Sequence, residues 1–423
     1  MPAELLLFIA PVLLLGLLLL RDLPIFGLLA CLILARAAFD GPFNLQVAGN
    51  PLSGVLGILI LGLGIASGIR GWRGFIPMLA LGGVLFVSSQ SALLFDADAI
   101  SEYIRLMSVI AVFVIVANLR NRPSPRAVVT VIQLTALISA VFSLIQFATG
   151  GGLVVDGVLR ATGTMAHPNS AALLYCMAIS ASVIAYFELG HRRLDLVVAA
   201  VLFVALLSTG SVGGIVALAA MLCAYILLSP RVAMNVRIGV PVLAAAGVIG
   251  FLLSPLGAER VSEFVSLDLS GASGERNSLE WRIGRWQDVL TYWEQSPIVG
   301  VGYGASAGGA LLNGYPPHNE YVRAIVELGL LGIVVIAILI VATLRALRRV
   351  ARTGEAAGAL ATLGIAMLGG MLVNAIAENT FMYSVPGYLL ALTIASALWR
   401  PPRSTSGDSL QSMKTYERKS HFA

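Results

Sequence analysis

The sequence contains many apolar runs that approach or reach the length of a membrane-spanning helix, which is about 20 residues. The runs lie at 4–20, then up to Phe39, and at 51–68, 75–95, 103–118, 127–149, 168–187, 194–209, 211–229, 238–254, 321–343, 356–377 and 384–398. We therefore expect an all-α integral membrane protein with about 12–13 transmembrane helices.

The composition supports the same class. Hydrophobic residues make up 58% of the chain and charged residues 12%, whereas soluble domains carry about a quarter charged residues. Cys31, Cys176 and Cys223 all lie in apolar runs without a CxxC spacing, which is typical of small buried residues. The sequence shows neither a metal-ligand cluster nor a nucleic-acid surface, and we predict no cofactor.

The two ends of the chain lead to different expectations. No basic residue precedes the run at 4–20, so we interpret it as a retained span and not as a secretory signal. Arg21 and Asp22 interrupt the next stretch, and the sequence leaves open whether residues 1–39 cross the membrane once or twice. The polar tail, 401–423, is predicted to be disordered and cytoplasmic.

Basic residues fall in alternate loops, which predicts the orientation because cytoplasmic loops carry an excess of Lys and Arg. They are Arg70, Arg73, Arg120, Arg122, Arg126, Arg192, Arg193, Arg231, Arg237, Arg345, Arg348, Arg349 and Arg352, followed by Lys414, Arg418 and Lys419. The 150–167 loop, which we interpret as polar, the long 255–319 loop and the 378–383 turn are then expected on the opposite, external face.

The long loop contains an amphipathic pattern. Leu279, Ile283, Trp286, Leu290 and Trp293 recur at helical spacing, and we expect Pro297 to end this helix. Its tryptophans suit a membrane interface.

Two arginines of this helix, Arg282 and Arg285, are three residues apart and therefore project on one side. Two guanidinium groups held in this way can grip a phosphate or a diphosphate through bidentate hydrogen bonds. The spacing alone is equally consistent with two arginines that snorkel beside an interfacial helix.

The segment 299–304 reads VGVGYG, which is similar to the motifs of a dinucleotide site and of a potassium filter, but its context argues against both. It lacks the GxGxxG spacing of a dinucleotide site. It also contains the VGYG of a potassium filter, but Pro297 separates it from the preceding helix. A glycine-rich turn that lets the backbone approach a neighbouring segment is the interpretation we prefer.

His318 follows Pro316 and Pro317 and stands directly before a span. A histidine at the external mouth of a span can act as a general base near neutral pH; the alternative is a residue at the start of a helix that hydrogen-bonds to the backbone. His167 has a similar place, before Pro168 and after Arg160.

Several segments resemble the O-antigen ligase and polymerase family. They are RATGTMAHPNSAALL from Arg160, RIGRW from Arg282, SPIVGVGYG from Ser296, PPHNEYVRAIVELGLLG from Pro316 and the closing ENTFMYSVPGYLLALTIASAL. The resemblance covers about 150–400 and divides the chain into N-terminal transmembrane helices (1–149), a ligase-like membrane domain (150–400) and the tail. The family's HNEY box is present letter for letter from His318.

The resemblance implies a metal-independent GT-C type glycosyltransferase of the bacterial inner membrane, with its active site facing the periplasm. Its donor would be a glycan on undecaprenyl diphosphate, and its acceptor lipid A-core for a ligase or another glycan for a polymerase. Without a metal, arginines must neutralise the leaving diphosphate. By match to the family, the candidate catalytic residues are His318, Arg282 and Arg160, and the candidate substrate-binding residues are Arg285, His167, Asn319 and Tyr321.

One position departs from the family pattern. The family often has an arginine after the serine of a Ser-Arg-Gly-Gly box, whereas this chain has Val212 between Ser211 and Gly213. A diphosphate contact on that span is then absent or is supplied by Arg285.

Two other classes of function remain open at this stage. A secondary transporter of a lipid-linked or polar substrate would also need charges within spans, such as Glu102, Arg105, Arg323 and Glu327, although no internal repeat is evident. The simplest alternatives for these four residues are charges at helix ends or pairing that faces a neighbouring helix. A membrane scaffold would not require the arginine and histidine boxes. The sequence favours a ligase weakly over a polymerase and leaves the sugar, the linkage and the oligomeric state open.

Overall fold

The computed structural model describes residues 25–41, 46–47, 50–71, 97–155, 158–229, 278–306, 317–353 and 355–400, together with 232, 234 and 237–238. The expectations for the runs at 4–20 and 75–95, for nearly all of 238–254, for most of the 255–319 loop and for the tail lie outside these residues.

Helices account for most of the described chain. They are α1 (Ile25–Ala38), α2 (Leu52–Gly71), α3 (Ala97–Ala117), α4 (Pro125–Thr149), α5 (Pro168–Glu188), α6 (Arg193–Ser208), α7 (Val212–Leu228), α8 (Ser278–Trp293), α9 (Glu320–Ala351), α10 (Ala356–Asn374) and α11 (Ser384–Leu398). A 3-10 turn, Thr380–Met382, precedes α11. Two antiparallel hairpins complete the described elements: β1 (Gln46–Val47) with β2 (Asn50–Pro51), and β3 (Leu153–Val155) with β4 (Val158–Arg160).

Five of the described helices, namely α2, α4, α5, α9 and α10, are long and apolar enough to cross a membrane. Helices α5, α10 and α11 are buried along most of their length and form the centre of the bundle, whereas α4 and α9 expose large apolar side chains as a lipid-facing surface does. The prediction of an all-α integral membrane protein is confirmed.

Basic side chains gather at one end of the bundle. Arg122, just before α4, donates to the carbonyl oxygens of Ser396 and Ala397 at the end of α11, both at 3.1 Å. Arg126 donates to the carbonyl oxygen of Leu189 at 2.9 Å, at the end of α5. Cations are favoured at helix C-termini, where carbonyl groups lack partners. The start of α4 and the ends of α5 and α11 therefore lie together.

The opposite end of α4 leads into the hairpin β3–β4. Gly150 ends α4 in the left-handed conformation, with φ of 66°, which glycine adopts at little cost. Our interpretation of 150–167 as a polar loop was wrong for its first half, because Leu153, Val154 and Val158 are apolar and exposed on the two strands.

Helix α9 is interrupted near its start, at Gly329, whose φ is 63° and ψ −171°. The glycine-rich turn supplies the backbone partners that the break removes. Its Val301 and Gly302 donate to the carbonyl oxygens of Val326 and Glu327 at 2.9 and 3.1 Å. In return, Leu330 N–H and Leu331 N–H donate to the carbonyl oxygens of Pro297 and Ile298, both at 3.0 Å.

The expected role of the glycine-rich turn, a close approach of backbones, is therefore what the structure shows. Gly300 has φ of 77°, and a Cβ there would collide with the carbonyl group of Glu327. Irregular backbone is tolerated at membrane depth only where protein groups satisfy its hydrogen-bonding groups. The glycine-rich turn forms these hydrogen bonds with α9.

The predicted amphipathic helix is α8. It packs through Val289 against Val326 of α9, and the indole N–H of Trp286 donates to the carbonyl oxygen of Pro317 at 2.8 Å. The helix ends at Trp293, four residues before Pro297, because a proline lacks the N–H that would bond to the carbonyl group of Trp293 and its ring would collide with that group.

Charged residues inside the bundle pair with one another, chiefly within α9 and also between α9 and α3. Arg323 is 1% exposed, and its guanidinium lies 3.1 Å from Glu327, 3.4 Å from Glu320 and 3.8 Å from Glu102 of α3. Glu327 also accepts hydrogen bonds from the N–H groups of Gly304 and Ser306, at 3.0 and 3.1 Å. The pairing interpretation of these charges therefore holds, and the network ties α3, α9 and the glycine-rich turn together.

Candidate functional site

Three chain segments meet at the Gly150 end of the bundle. His167 caps the start of α5, where its Nδ1 accepts from the N–H of Asn169 at 3.2 Å. Asn319 caps α9 by accepting from the N–H groups of Tyr321 and Val322, at 2.9 and 3.1 Å. The third segment is the turn that follows α10. The 150–167 loop, the end of the long loop and the 378–383 turn therefore share one face, as the arginine pattern predicts.

Glu378, in that turn, is the centre of the site. It is 4% exposed, and polar side chains from several elements surround its carboxylate. Oε2 lies 3.4 Å from Nδ1 of His318 and accepts from the hydroxyl of Tyr383 at 3.0 Å. Oε1 accepts from the side-chain amide of Asn169 and lies 3.8 Å from the guanidinium of Arg282.

Asn169 connects this carboxylate to Arg160. Its Oδ1 accepts from the guanidinium of Arg160 at 2.5 Å, while its amide nitrogen donates to Glu378. The Nε–H of Arg160 also donates to the carbonyl oxygen of Thr209 at 2.7 Å. One chain of hydrogen bonds therefore runs from the turn between α6 and α7 through Arg160 and Asn169 to Glu378.

Arg282 reaches the same turn from α8. It donates to the carbonyl oxygen of Ala377 at 2.8 Å, next to Glu378. The hydrogen bond from Trp286 to Pro317, one turn further along α8, holds the helix beside His318. Arg282 and His318 thus come from segments on either side of the 307–316 stretch and flank one carboxylate.

His318 has a left-handed backbone conformation, with φ of 50°. A positive φ is uncommon for residues other than glycine. On its C-terminal side His318 is followed by Asn319, which caps α9 and so fixes the position of His318 relative to that helix. Pro316 lies outside the described residues.

Glu378 and His167 have pKa values that differ from their ordinary values. Burial alone would raise the pKa of Glu378, but the hydrogen bond with His318 and the positive charge of Arg282 outweigh burial, so the pKa lies below its ordinary value. Glu378 is therefore a carboxylate at neutral pH. Burial lowers the pKa of His167, Glu378 opposes this shift, and the nearby Arg160 adds to it. His167 is therefore neutral at neutral pH and can accept its capping hydrogen bond.

A cavity of about 270 Å³ opens beside Glu378, with His167 and His318 in its wall. Two arginines from the N-terminal helices also line it: Arg36 of α1, which pairs with Asp40, and Arg105 of α3, which pairs with Glu102. Neither arginine was predicted to belong to the site. Charged residues in spans are rarely placed without a function, and this rule was the available signal.

The remaining candidates have other partners. The guanidinium of Arg285 lies 3.7 Å from Asp288 of the same helix. The side chain of Asn319 is engaged in capping α9, and the hydroxyl of Tyr321 donates to the carbonyl oxygen of Leu372 at 2.8 Å. These contacts give each of the three residues a structural role beside the proposed one.

The position that departs from the family box, Val212, is exposed at the first turn of α7. Near this position, the side chain of Arg160 lies against Gly210. The structure thus provides an arginine close to the box, and the substitution by Arg285 stays a prediction.

Comparison with known proteins agrees with the motifs. The sequence model of the family described as O-antigen ligase matches residues 197–337, a stretch that contains Arg282 and His318. The chain is also similar to the exopolysaccharide production protein ExoQ of Rhizobium meliloti (strain 1021), with 26% identity over 219 residues that cover 43% of this chain and 45% of that protein. The matched part is thus less than half the length of that relative. Both findings confirm the resemblance to the O-antigen ligase and polymerase family.

Proposed function

We propose a function from two premises: the similarity to the O-antigen ligase and polymerase family, and the side chains gathered around Glu378. The protein transfers a glycan from undecaprenyl diphosphate to an acceptor hydroxyl at the periplasmic face of a bacterial inner membrane. The observation that carries this proposal is that one buried carboxylate contacts His318 and Arg282 directly and Arg160 through Asn169.

The contact with Glu378 supports a role of His318 as general base. Because Nδ1 faces an ionised carboxylate, this nitrogen carries the ring proton and donates a hydrogen bond to Glu378. The other nitrogen, Nε2, therefore carries the lone pair. In the proposed reaction Nε2 takes the proton from the acceptor hydroxyl. The hydroxyl oxygen forms its bond to the anomeric carbon of the donor sugar as the bond from that carbon to the diphosphate breaks.

The leaving diphosphate takes the bonding electron pair, and its negative charge must be stabilised. Arg282 and Arg160 are suited to this because a guanidinium offers several N–H donors in a plane. Arg282 lies beside Glu378, and Arg160 is linked to Glu378 through Asn169. The carboxylate of Glu378, which contacts His318, would therefore position both the donor side and the acceptor side of the reaction. Arg285 and His167 are further candidates for substrate contact.

We propose that the reaction needs no metal, since the two arginines can supply the positive charge that a divalent cation would otherwise provide. The test is transfer by purified protein in lipid vesicles, after treatment with EDTA and again after addition of Mg²⁺ or Mn²⁺. Activity unchanged by both treatments supports the proposal, and activity that only a cation restores contradicts it.

The proposed acceptor is lipid A-core, which makes the protein a ligase. The experiment compares the surface glycans of a deletion strain with those of the parent strain. For a ligase, deletion leaves long lipid-linked chains and a bare core. An unchanged profile, with no accumulated lipid-linked glycan, would reject glycan transfer altogether and favour another class, such as a transporter.

Polymerisation is the second candidate, and the similarity to an exopolysaccharide production protein favours it. The acceptor would then be the end of another glycan, and the same donor-side residues would serve. In this case the deletion strain carries single repeat units where the parent strain carries long chains, so one experiment separates the two acceptors.

A further inference from the structure

The hairpin β3–β4 presents apolar side chains that the described protein does not cover. Leu153, Val154, Val158 and Leu159 are between 41% and 64% exposed. The strands are paired from Leu153 with Arg160 to Val155 with Val158. Exposed apolar strands with open edges tend to aggregate in water. The question is therefore what covers this hairpin in the native protein.

The base of the hairpin is held rigidly against the bundle. Ala161 N–H donates to the carbonyl oxygen of Ser208 at 3.1 Å. The N–H groups of Thr162 and Gly163 both donate to the side-chain oxygen of Gln146 in α4, at 2.9 and 2.8 Å. The direction of the hairpin is therefore set by α4 and by the turn between α6 and α7.

The exposed surface of the hairpin continues an apolar surface of α4. The last turns of this candidate span expose Val141, Ile145 and Phe147, at 52%, 53% and 68%. Only three glycines, Gly150 to Gly152, separate the end of α4 from Leu153. The one charged residue on the described strands is Arg160 at the base, and its guanidinium is turned away to Asn169 and Thr209.

We propose that the β3–β4 hairpin inserts its apolar side chains into the lipid leaflet at the Gly150 end of α4. The occupant of its exposed surface is the bilayer, because the apolar strands follow the lipid-facing side of a span after only three glycines and Arg160 is engaged with Asn169 and Thr209. Asp156, which lies between the two strands in the sequence, is tolerated at the interface but not in the hydrocarbon core. The open strand edges require hydrogen-bond partners, which the hydrocarbon core lacks. The hairpin therefore lies at interfacial depth, among headgroups and the first acyl carbons.

This placement has a consequence for the site, which rests on the function proposed above. Arg160 ends β4 and would be held at headgroup depth, where the diphosphate of a lipid-linked donor lies. The hairpin would then act as a fixed guide that keeps this arginine level with the donor's charged group.

The experiment measures the surroundings of the hairpin directly and does not depend on activity. Val154→Cys and Val158→Cys are made in a Cys31→Ala, Cys223→Ala variant, in which the remaining Cys176 is buried. Each is labelled with a nitroxide, and the full chain is reconstituted in phosphatidylcholine–phosphatidylglycerol vesicles. Spectroscopy then compares collisions with oxygen, which partitions into lipid, and with a water-soluble nickel chelate.

Two labelled positions serve as references. Leu134→Cys, exposed near the middle of α4, reports lipid, and Thr353→Cys, exposed between α9 and α10, reports water. We expect the hairpin labels to show an oxygen-to-nickel ratio well above that of Thr353 and below that of Leu134. A ratio equal to that of Thr353 places the hairpin in water and overturns the proposal. Low collision rates with both reagents mean that protein covers the hairpin, which overturns it as well, while either result leaves the proposed glycan transfer standing.

Discussion

His318 and Glu378 face each other side chain to side chain, with Nδ1 3.4 Å from Oε2, although 60 positions separate them in the chain. His318 stands just before α9 and Glu378 just after α10, and the packing of these two helices brings them together. The same carboxylate is held by Tyr383 and Asn169. A histidine oriented in this way is restricted to one tautomer and one ring position, which is what a positioned base requires.

His318→Ala is expected to lower the transfer rate by about a hundredfold or more, the usual contribution of a positioned general base. Donor binding should persist, because Arg282 and Arg160 are retained. The measurements are the transfer rate and the affinity for a donor analogue in vesicles. His318→Gln separates orientation from basicity: recovery of most of the rate in this variant would assign His318 a positioning role instead. Normal transfer by His318→Ala with an inactive His167→Ala would assign the base to the other histidine.

Glu378→Gln is expected to reduce kcat by roughly tenfold to a hundredfold with little change in KM, since an amide keeps the size but not the charge that holds the imidazole. A merely structural role would not change the pH profile, so kcat is measured from pH 5 to 9. We expect the pH at which kcat reaches its alkaline plateau to differ between the variant and the parent. Glu355→Gln, exposed before α10, is the control and should behave as the parent. An unchanged kcat and profile in Glu378→Gln would remove Glu378 from the proposed mechanism.

Arg282→Lys is expected to lose most of the transfer activity, because a lysine keeps the charge but not the planar set of donors. Arg282→Ala should cost on the order of 3 kcal/mol of transition-state stabilisation, which is about a hundredfold in rate. Arg285→Ala is the matched control from the same helix and should cost less, since the guanidinium of Arg285 lies 3.7 Å from Asp288, whereas that of Arg282 lies 3.8 Å from Glu378. Equal losses in Arg285→Ala and Arg282→Ala would contradict this assignment.

His167 is expected to make the protein less stable in mild acid. Its pKa in the folded state lies below the ordinary value of about 6.5, so the unfolded state binds the proton more readily. The free energy of unfolding therefore falls as the pH drops below about 6.5. Thermal unfolding in detergent at pH 7.5 and 5.5 measures this. His167→Asn retains an N-cap side chain and should show a smaller difference between the two pH values; an identical difference would refute the prediction.

Gly329→Ala is expected to destabilise the protein by at least about 1–3 kcal/mol, the cost of a residue forced into unfavourable backbone dihedral angles. A Cβ there would also collide with the carbonyl group of Ile298, directly before the glycine-rich turn. Gly369→Ala in α10, where a Cβ would meet no atom within 4 Å, is the control and should be neutral or slightly stabilising. The measurement is Tm in detergent, and equal Tm values for the two variants would show that the break in α9 is not constrained as described.

Much of the site was predictable from local patterns. His318, Arg282, Arg160 and His167 were nominated from motif boxes, and the structure gathers all four near Glu378. Glu378 itself opens a segment that was used only to recognise the family, and no local signal distinguishes it from other polar residues at the end of a span. Its importance depends on which side chains surround it, and these come from four separate parts of the chain.

The sequence by itself determined the class of protein and the positions of most helices, because continuous apolar runs can bury their backbone polar groups in a bilayer only as helices. It also predicted that the arginine and histidine boxes lie together at one end of the bundle. The tertiary structure alone decided the break in α9 at Gly329, the exposed apolar hairpin after Gly150 and the meeting of His318 with Glu378. Each of these depends on hydrogen bonds between segments that are distant in the chain, and helical periodicity carries no information about such partners.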